Sequence, residues 1–331
     1  MKINGILLIN KPSGPTSNLV LQKVKKIFSS LISTRSQAAT QSCNNTKQRC
    51  KAGHTGSLDP LATGMLPICF GEATKFSQYL LNADKCYQVT GLLGIKTDSA
   101  DATGNIIAVQ EKFSITKEQL QNTINKFIGT VTQIPSMFSA LKHHGKPLYQ
   151  YARAGIEIDR APRIIKIHSI TLDSFVNNTF KLTVHCSKGT YIRNLIEDIG
   201  ENLGVHAHVV ALHRVFTAGF VNETMYDLEY LATSNAATIF SCLLPLDRAV
   251  ADFPQIVIDV SQAQALKHGK TINCTANSTF FAAEISGNNY NAGTQGIKVD
   301  NYVRLYTEPS NFLGLGEISS SGQIKAKRLL S

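Results

Sequence analysis

The stretch Asn177-Asn178-Thr179-Phe180-Lys181-Leu182-Thr183-Val184-His185-Cys186-Ser187-Lys188-Gly189-Thr190-Tyr191-Ile192-Arg193 changes its hydrophobic period midway, and that change sets the fold class. Phe180, Leu182, Val184 and Cys186 alternate with Lys181, Thr183, His185 and Ser187, the two-residue period of a strand with one buried face, after an Asn-Asn turn. Beyond it Ile192, Leu195, Ile196, Ile199 and Leu203 recur at helical spacing until Gly204. A strand here feeds a helix through a short join that carries a tyrosine and an arginine. Residues two apart in an extended join point the same way, so Tyr191 and Arg193 are expected to face one pocket.

Working outward, the same mixture recurs. Gly5 to Asn10 reads as a short buried strand closed by Lys11-Pro12-Ser13-Gly14, and Pro15-Thr16-Ser17 can cap a helix running to about Phe28. Tyr87 to Leu93 reads as a strand, and Asp98 to Gly104 as turns. Thr116-x-x-Gln119 opens a helix that closes at Gly129. No regular βαβ repeat appears, which predicts an α/β protein of the α+β kind: a mixed, mainly antiparallel sheet carrying helices.

With 331 residues the chain exceeds one comfortable core. Residues 1–246 are expected to form one domain. Residues 247–331, with short strands at Ile256 to Val260, Tyr302 to Tyr306 and Phe312 to Ile318, form a small β-rich C-terminal domain. Two segments stand apart: the Ser, Thr, Gln and Asn-rich stretch 31–50, read as a mobile insertion, and a Gly/Asn-rich loop from Ser286 to Gly296.

Lys plus Arg number 33 against 23 Asp plus Glu, a formal charge of +10, which favours a polyanionic partner. The distribution is one-sided. Nine cations and no carboxylate precede Asp59. The seven cysteines form no C-x-x-C pair, so neither a zinc site nor a disulfide framework is expected. The apolar run Ile6 to Ile9 is too short for a signal peptide and no run is long enough to span a membrane, which points to a cytoplasmic protein.

Gly53-His54-Thr55-Gly56-Ser57-Leu58-Asp59-Pro60-Leu61-Ala62-Thr63-Gly64 crowds glycines, a proline and small residues around one carboxylate, as in a loop that approaches a ligand closely. Surrounding positive charge should keep Asp59 ionised, which suits nucleophilic attack or charge stabilisation. A turn-forming or helix-capping aspartate is the structural alternative. Gly64 to Lys75 lacks the spacing of a phosphate loop, and no G-x-S-x-G occurs. His206, His208 and His213 read as an RNA contact or a solvated cluster rather than a metal site. A buried Arg193 could pair with Asp59, and an aromatic ring could stack on a base.

These motifs resemble the bacterial tRNA pseudouridine-55 synthases of the TruB family. The run from Gly53 to Pro67 is similar to that family's active-site motif. Gly71-Glu72-Ala73-Thr74-Lys75, Asp84-Lys85-Cys86-Tyr87, the segment from Ser139 to Gly155, and Lys188 to Arg193 have counterparts in order. Ile134-Pro135-Ser136-Met137-Phe138-Ser139-Ala140 departs from the family's usual Pro-Pro-x-Tyr-Ser-Ala. The resemblance implies a pseudouridine synthase-type sheet with a PUA-like C-terminal domain. It implies isomerisation of a T-loop uridine of tRNA without cofactor or metal, by a monomer. Asp59 would be the nucleophile or anion stabiliser, held by Arg193, with Tyr87 stacking on the base and serving as a general base. His54, Lys75, Tyr191 and Leu212 would bind the substrate. The competing readings are an RNA-binding chaperone without chemistry and a nucleoside hydrolase.

Overall fold

The computed structural model describes residues 3–37, 50–273, 280–281, 302–308 and 310–331. Strand β1 (Gly5–Lys11) is buried on both faces, with Ile6, Leu7, Leu8 and Ile9 inaccessible, as its unbroken apolar run requires. It pairs antiparallel with β3 (Thr63–Phe70), which also takes the short β2 (Ala52–His54). Strands β4 (Lys85–Leu93), β5 (Gly129–Gln133), β6 (Arg163–Val176), β7 (Thr179–Cys186) and β8 (Ala207–Thr217) complete a sheet ordered β1-β3-β8-β4-β7-β6-β5. Every neighbouring pair in that order is antiparallel except β3 with β8. Those two run parallel, and only Thr63–His213 and Gly64–Arg214 are in register.

Local chemistry explains the main hairpin. Asn177 and Asn178 adopt positive φ of 48° and 62°, the conformation a tight two-residue turn between β6 and β7 demands and asparagine tolerates. Helices α2 (Lys117–Asn125) and α3 (Ile192–Asn202) cover one face of the sheet, and Leu120, Ile124, Leu195, Ile196 and Ile199 meet Leu182 and Val184 there. Each such fully buried aliphatic side chain contributes about 1.5–3 kcal/mol. The stripe on α3 therefore fixes the helix that carries Arg193. Helix α1 (Ser17–Gln37) lays Val20, Val24 and Phe28 on Leu66, Ile68 and Phe70.

The expected fold class holds, with several boundary corrections. Helix α1 continues past Phe28 to Gln37, because no Gly or Pro interrupts the polar stretch. The beginning of the 31–50 segment is thus helical; residues 38–49 lie outside the described residues, as does the Ser286 to Gly296 loop. The expected capping box at Thr116 and Gln119 is present.

A second, six-stranded sheet is built from the C-terminal part of the chain. The strand expected over Ile256 to Val260 is confined to Gln255–Val257. Val260 instead starts helix α4 (Val260–Lys267), because the Asp259 carboxylate accepts from the Gln262 N–H at 2.8 Å and caps it. This unit shares a core with the first sheet, Phe312, Leu315 and Leu330 packing near Phe76 and Ala249. The Tyr306 hydroxyl adds a polar tie by donating to Asp247 Oδ2 at 2.6 Å.

Candidate active site

Asp59 sits on the loop between β2 and β3, and the loop is anchored to the backbone around it. Ser17 Oγ donates to the Leu58 carbonyl at 2.9 Å and accepts from the Leu58 N–H at 2.7 Å. The fully buried Lys11 ammonium donates to Ala62 O at 2.7 Å, Pro12 O at 2.9 Å and Pro60 O at 3.2 Å. Ala62 N–H closes a turn on Asp59 O at 3.1 Å. Where the loop enters β3, Gly64 has φ +97°, and a Cβ there would lie 2.2 Å from Arg214 O, so only glycine permits the two strands to touch.

Arg193 gathers three distant segments. Its Nε donates to Asp59 Oδ2 at 2.8 Å, Nη1 to Ser99 O at 2.8 Å and Nη2 to Phe138 O at 2.8 Å. Asp101 Oδ2 stands 3.7 Å from Nη1, its other oxygen accepting from Ser99 Oγ, Thr103 N and Thr103 Oγ1. The side chain of Arg193 is 5 % accessible and that of Asp59 39 %. The guanidinium is therefore buried beneath a carboxylate that opens into a cleft of about 260 Å³, lined also by Lys85, Tyr87, Tyr191, Leu212 and Arg214.

Burial raises the Asp59 carboxyl above the ordinary carboxylate range; the Arg193 charge opposes this most strongly, Asp101 adds to it, and Lys11 opposes it. The nearby cations favour the carboxylate as the sequence led one to expect, and desolvation, which the sequence does not display, acts against them. Burial also pushes the Tyr87 phenol up, against the charge of Arg214 and its hydrogen bond to the hydroxyl, so the ring carries a neutral hydroxyl at neutral pH. Burial brings the Lys11 and Lys85 ammonium groups down to about 8. Lys85 donates to Leu80 O at 3.0 Å and Leu81 O at 2.9 Å, and it also bonds Ala83 O. The cleft wall thus presents several cations and one open carboxylate, which suits an anion or a developing negative charge.

The structure brings Asp59, Tyr87, Tyr191, Arg193 and Leu212 together. For Tyr191 and Arg193 the reason differs from the expected one. Tyr191 is the N-cap of α3 and Arg193 lies in its first turn, so they converge through helix geometry and not strand alternation. Buried Gln133 fixes that helix start, accepting from Tyr191 N–H at 2.8 Å and donating to Tyr191 O at 3.0 Å.

His54 lies on β2, two residues before the cleft-lining Gly56, and burial and then Arg214 lower its pKa. Lys75, expected to bind the substrate, does not line the cleft. Its ammonium is held by Glu72 Oε2 at 2.6 Å, Ser331 Oγ at 2.9 Å and Leu329 O at 3.0 Å, so it ties the first domain to the last strand. Two of the three histidines have partners within the fold. His208 is buried with Nδ1 3.0 Å from Ile95 O, and His213 Nδ1 lies 2.8 Å from Thr63 Oγ1. Among the described residues no group of three His, Cys, Asp or Glu could hold a metal ion.

Two cleft residues, Arg214 and Lys85, and two residues that support the site from behind, Lys11 and Asp101, escaped the sequence reading. Arg214 is 1 % exposed and donates to Met65 O at 2.7 Å and Gly56 O at 3.0 Å; its two-residue offset from Leu212 on β8 was the available signal. Lys11 ends an apolar strand, where a buried cation has no periodic signature. Lys85 precedes Tyr87 by two residues on β4 and shares its side of the strand. Asp101 looked like turn chemistry, and nothing local announces that its turn meets Arg193.

The family model described as TruB family pseudouridylate synthase, N terminal domain, matches residues 41–192. The tRNA pseudouridylate synthase B C-terminal domain matches residues 193–251, and pseudouridine synthase II TruB, C-terminal, residues 254–330. A Legionella pneumophila tRNA pseudouridine synthase B is 47 % identical over 329 residues, covering 99 % of this chain and 96 % of the relative. A Coxiella burnetii tRNA pseudouridine synthase B is 42 % identical over 332 residues, covering 99 % and 95 %. The fold is also similar to that in a structure of an H/ACA RNP bound to a substrate RNA containing 2'-deoxyuridine. There the TM-score is 0.67 at 22 % identity, covering 99 % of this chain and 85 % of the other.

Proposed function

We propose, for a chain that belongs to the TruB family of pseudouridine synthases, that the Asp59 cleft receives one uridine everted from the T loop of tRNA, at position 55, and isomerises it. The activity is the isomerisation of a tRNA uridine to pseudouridine. In that reaction the N1–C1′ bond breaks, the uracil turns, C5 joins C1′, and the proton lost from C5 is balanced by one gained at N1. No electrons are exchanged and no water is consumed.

The observation that carries the assignment of roles is the Asp59–Arg193 pair, 2.8 Å long, with the guanidinium buried and the carboxylate open to the cleft. Arg193 holds the carboxylate in the ionised form that acts as nucleophile, or as the anion facing a cationic sugar. The released uracil carries negative charge, and Arg214 and Lys85 stand in the same cleft to stabilise it. Tyr87 and Leu212 offer flat and apolar surface to the everted base, offsetting part of the few kcal/mol that flipping costs. Tyr87 enters as a neutral phenol, and it can take a sugar proton as general base only in the phenolate form, which the Arg214 charge and hydrogen bond favour against burial.

Residues 1–246 are assigned as the catalytic domain and 247–331 as a PUA-like RNA-binding domain, a division supported by the separate six-stranded sheet. No helix among the described residues is long and apolar enough to cross a membrane.

The test is Asp59→Asn, assayed on a T stem-loop RNA. Conversion is expected to vanish while RNA binding persists; full conversion by the variant would remove Asp59 from the chemistry. A binding protein without catalysis gives no reason for a carboxylate to be buried against Arg193 and opened to the cleft.

A further inference from the structure

Ser139 is a residue the reaction scheme above does not use. It is 4 % exposed, and its Oγ is buried with no hydrogen-bond partner. Other side-chain atoms in the described residues share that condition, but among them only Ser139 lines the cleft of Asp59. A buried hydroxyl without a partner is destabilising, and it is tolerated where a ligand supplies the missing bond.

The hydroxyl is not left unpaired by a loose segment. On one side, Arg193 Nη2 donates to Phe138 O at 2.8 Å, the same guanidinium that holds Asp59. On the other, Tyr149 N–H donates to Ser139 O at 3.1 Å, and Leu148 N–H to Leu141 O at 2.7 Å. Phe138 N–H is taken by Ser136 Oγ at 3.1 Å. With the flanking backbone held this way, Ser139 keeps its place in the cleft that Asp59 lines. The arginine that positions the acid also positions the segment bearing the unpaired hydroxyl.

We propose that Ser139 Oγ is a substrate-binding group, whose missing hydrogen bond is completed by the target nucleotide once it enters the cleft. The bond goes either to the polar edge of the uracil or to the ribose 2′-hydroxyl; both offer a donor and an acceptor to a serine. This rests on the pseudouridine synthase reading above, and it adds a contact with the nucleotide itself.

The experiment compares wild type with Ser139→Ala on a T stem-loop RNA carrying uridine or 2′-deoxyuridine at the target. Single-turnover conversion and thermal melting are measured without and with RNA. Ser139→Ala should lower kcat/KM about tenfold, the loss of one neutral hydrogen bond worth about 1.4 kcal/mol. The melting temperature of the free protein should stay level or rise, because the free protein loses no bond. A defect confined to the uridine substrate places the bond on the 2′-hydroxyl, and an equal defect on both substrates places it on the base. Wild-type kcat/KM in the variant overturns the proposal, as does a fall in melting temperature that accounts for the lost activity. Inactivity of the wild-type enzyme would instead sink the functional reading on which the proposal stands.

Discussion

Replacing Arg193 by Met removes the charge and all three donors while keeping much of the apolar stem. Asp59 Oδ2, Ser99 O and Phe138 O each lose a donor 2.8 Å away, and Asp101 loses its nearest cation at 3.7 Å. Breaking a buried ion pair on one side costs about 3–5 kcal/mol. Because the Asp59 side chain is 39 % accessible, solvent screens part of the loss, and the expected cost is at the lower end, about 3 kcal/mol. If that whole amount appears in the barrier, single-turnover conversion slows roughly a hundredfold.

The pH dependence gives a second, independent reading of the same variant. Burial already raises the Asp59 carboxyl, and Arg193 is the strongest opposing influence. Without it the carboxyl rises further. Activity needs the ionised form, so it falls as pH drops through the folded-state pKa, and the acid limb should move to higher pH in Arg193→Met. Arg193→Lys keeps a charge but not the three-way fork, so its rate should fall while its acid limb moves less. Conversion at the wild-type rate with an unmoved acid limb in Arg193→Met would refute the reasoning.

Tyr87→Phe keeps the ring and deletes the hydroxyl that Arg214 contacts, so conversion should drop while affinity for the RNA is retained; an equal loss of both would show that the ring, and not the hydroxyl, was disturbed. Lys75→Ala should leave conversion unchanged but speed hydrogen exchange along Gln323–Leu329, whose last carbonyl it binds; slower conversion with normal exchange would return Lys75 to the substrate. Ile196→Ala, at a fully buried position of α3, should cost about 2–5 kcal/mol in denaturant unfolding, and a loss below 1 kcal/mol would mean that the core relaxes around it.

Elements whose signals are local were legible in the sequence. The alternation from Phe180 to Cys186, the Asn-Asn turn and the capping box at Thr116 each follow from neighbours within a few residues, and each is found as read. Asp59 stood out through the glycines and small residues around it. What escaped was set by partners far along the chain. The role of Asp101 depends on Arg193, that of Lys11 on three carbonyls spread between Pro12 and Ala62, and that of Arg214 on Met65 and Gly56. Composition suggested that positive charge governs Asp59, but desolvation is visible only once the walls are in place. Lys75 was assigned from its motif, and the carbonyl it meets on the last strand was not readable from that motif.

The guanidinium of Arg193 is a knot joining residues 59, 99, 138 and 193, and any contiguous fragment that holds all four must run at least from 59 to 193. During refolding the sheet can assemble strand by strand, but that knot closes only after all four segments have arrived, and long-range closures of this kind come slowly. Regained turnover would therefore lag regained circular dichroism, making the enzyme its own clock for the final step of assembly.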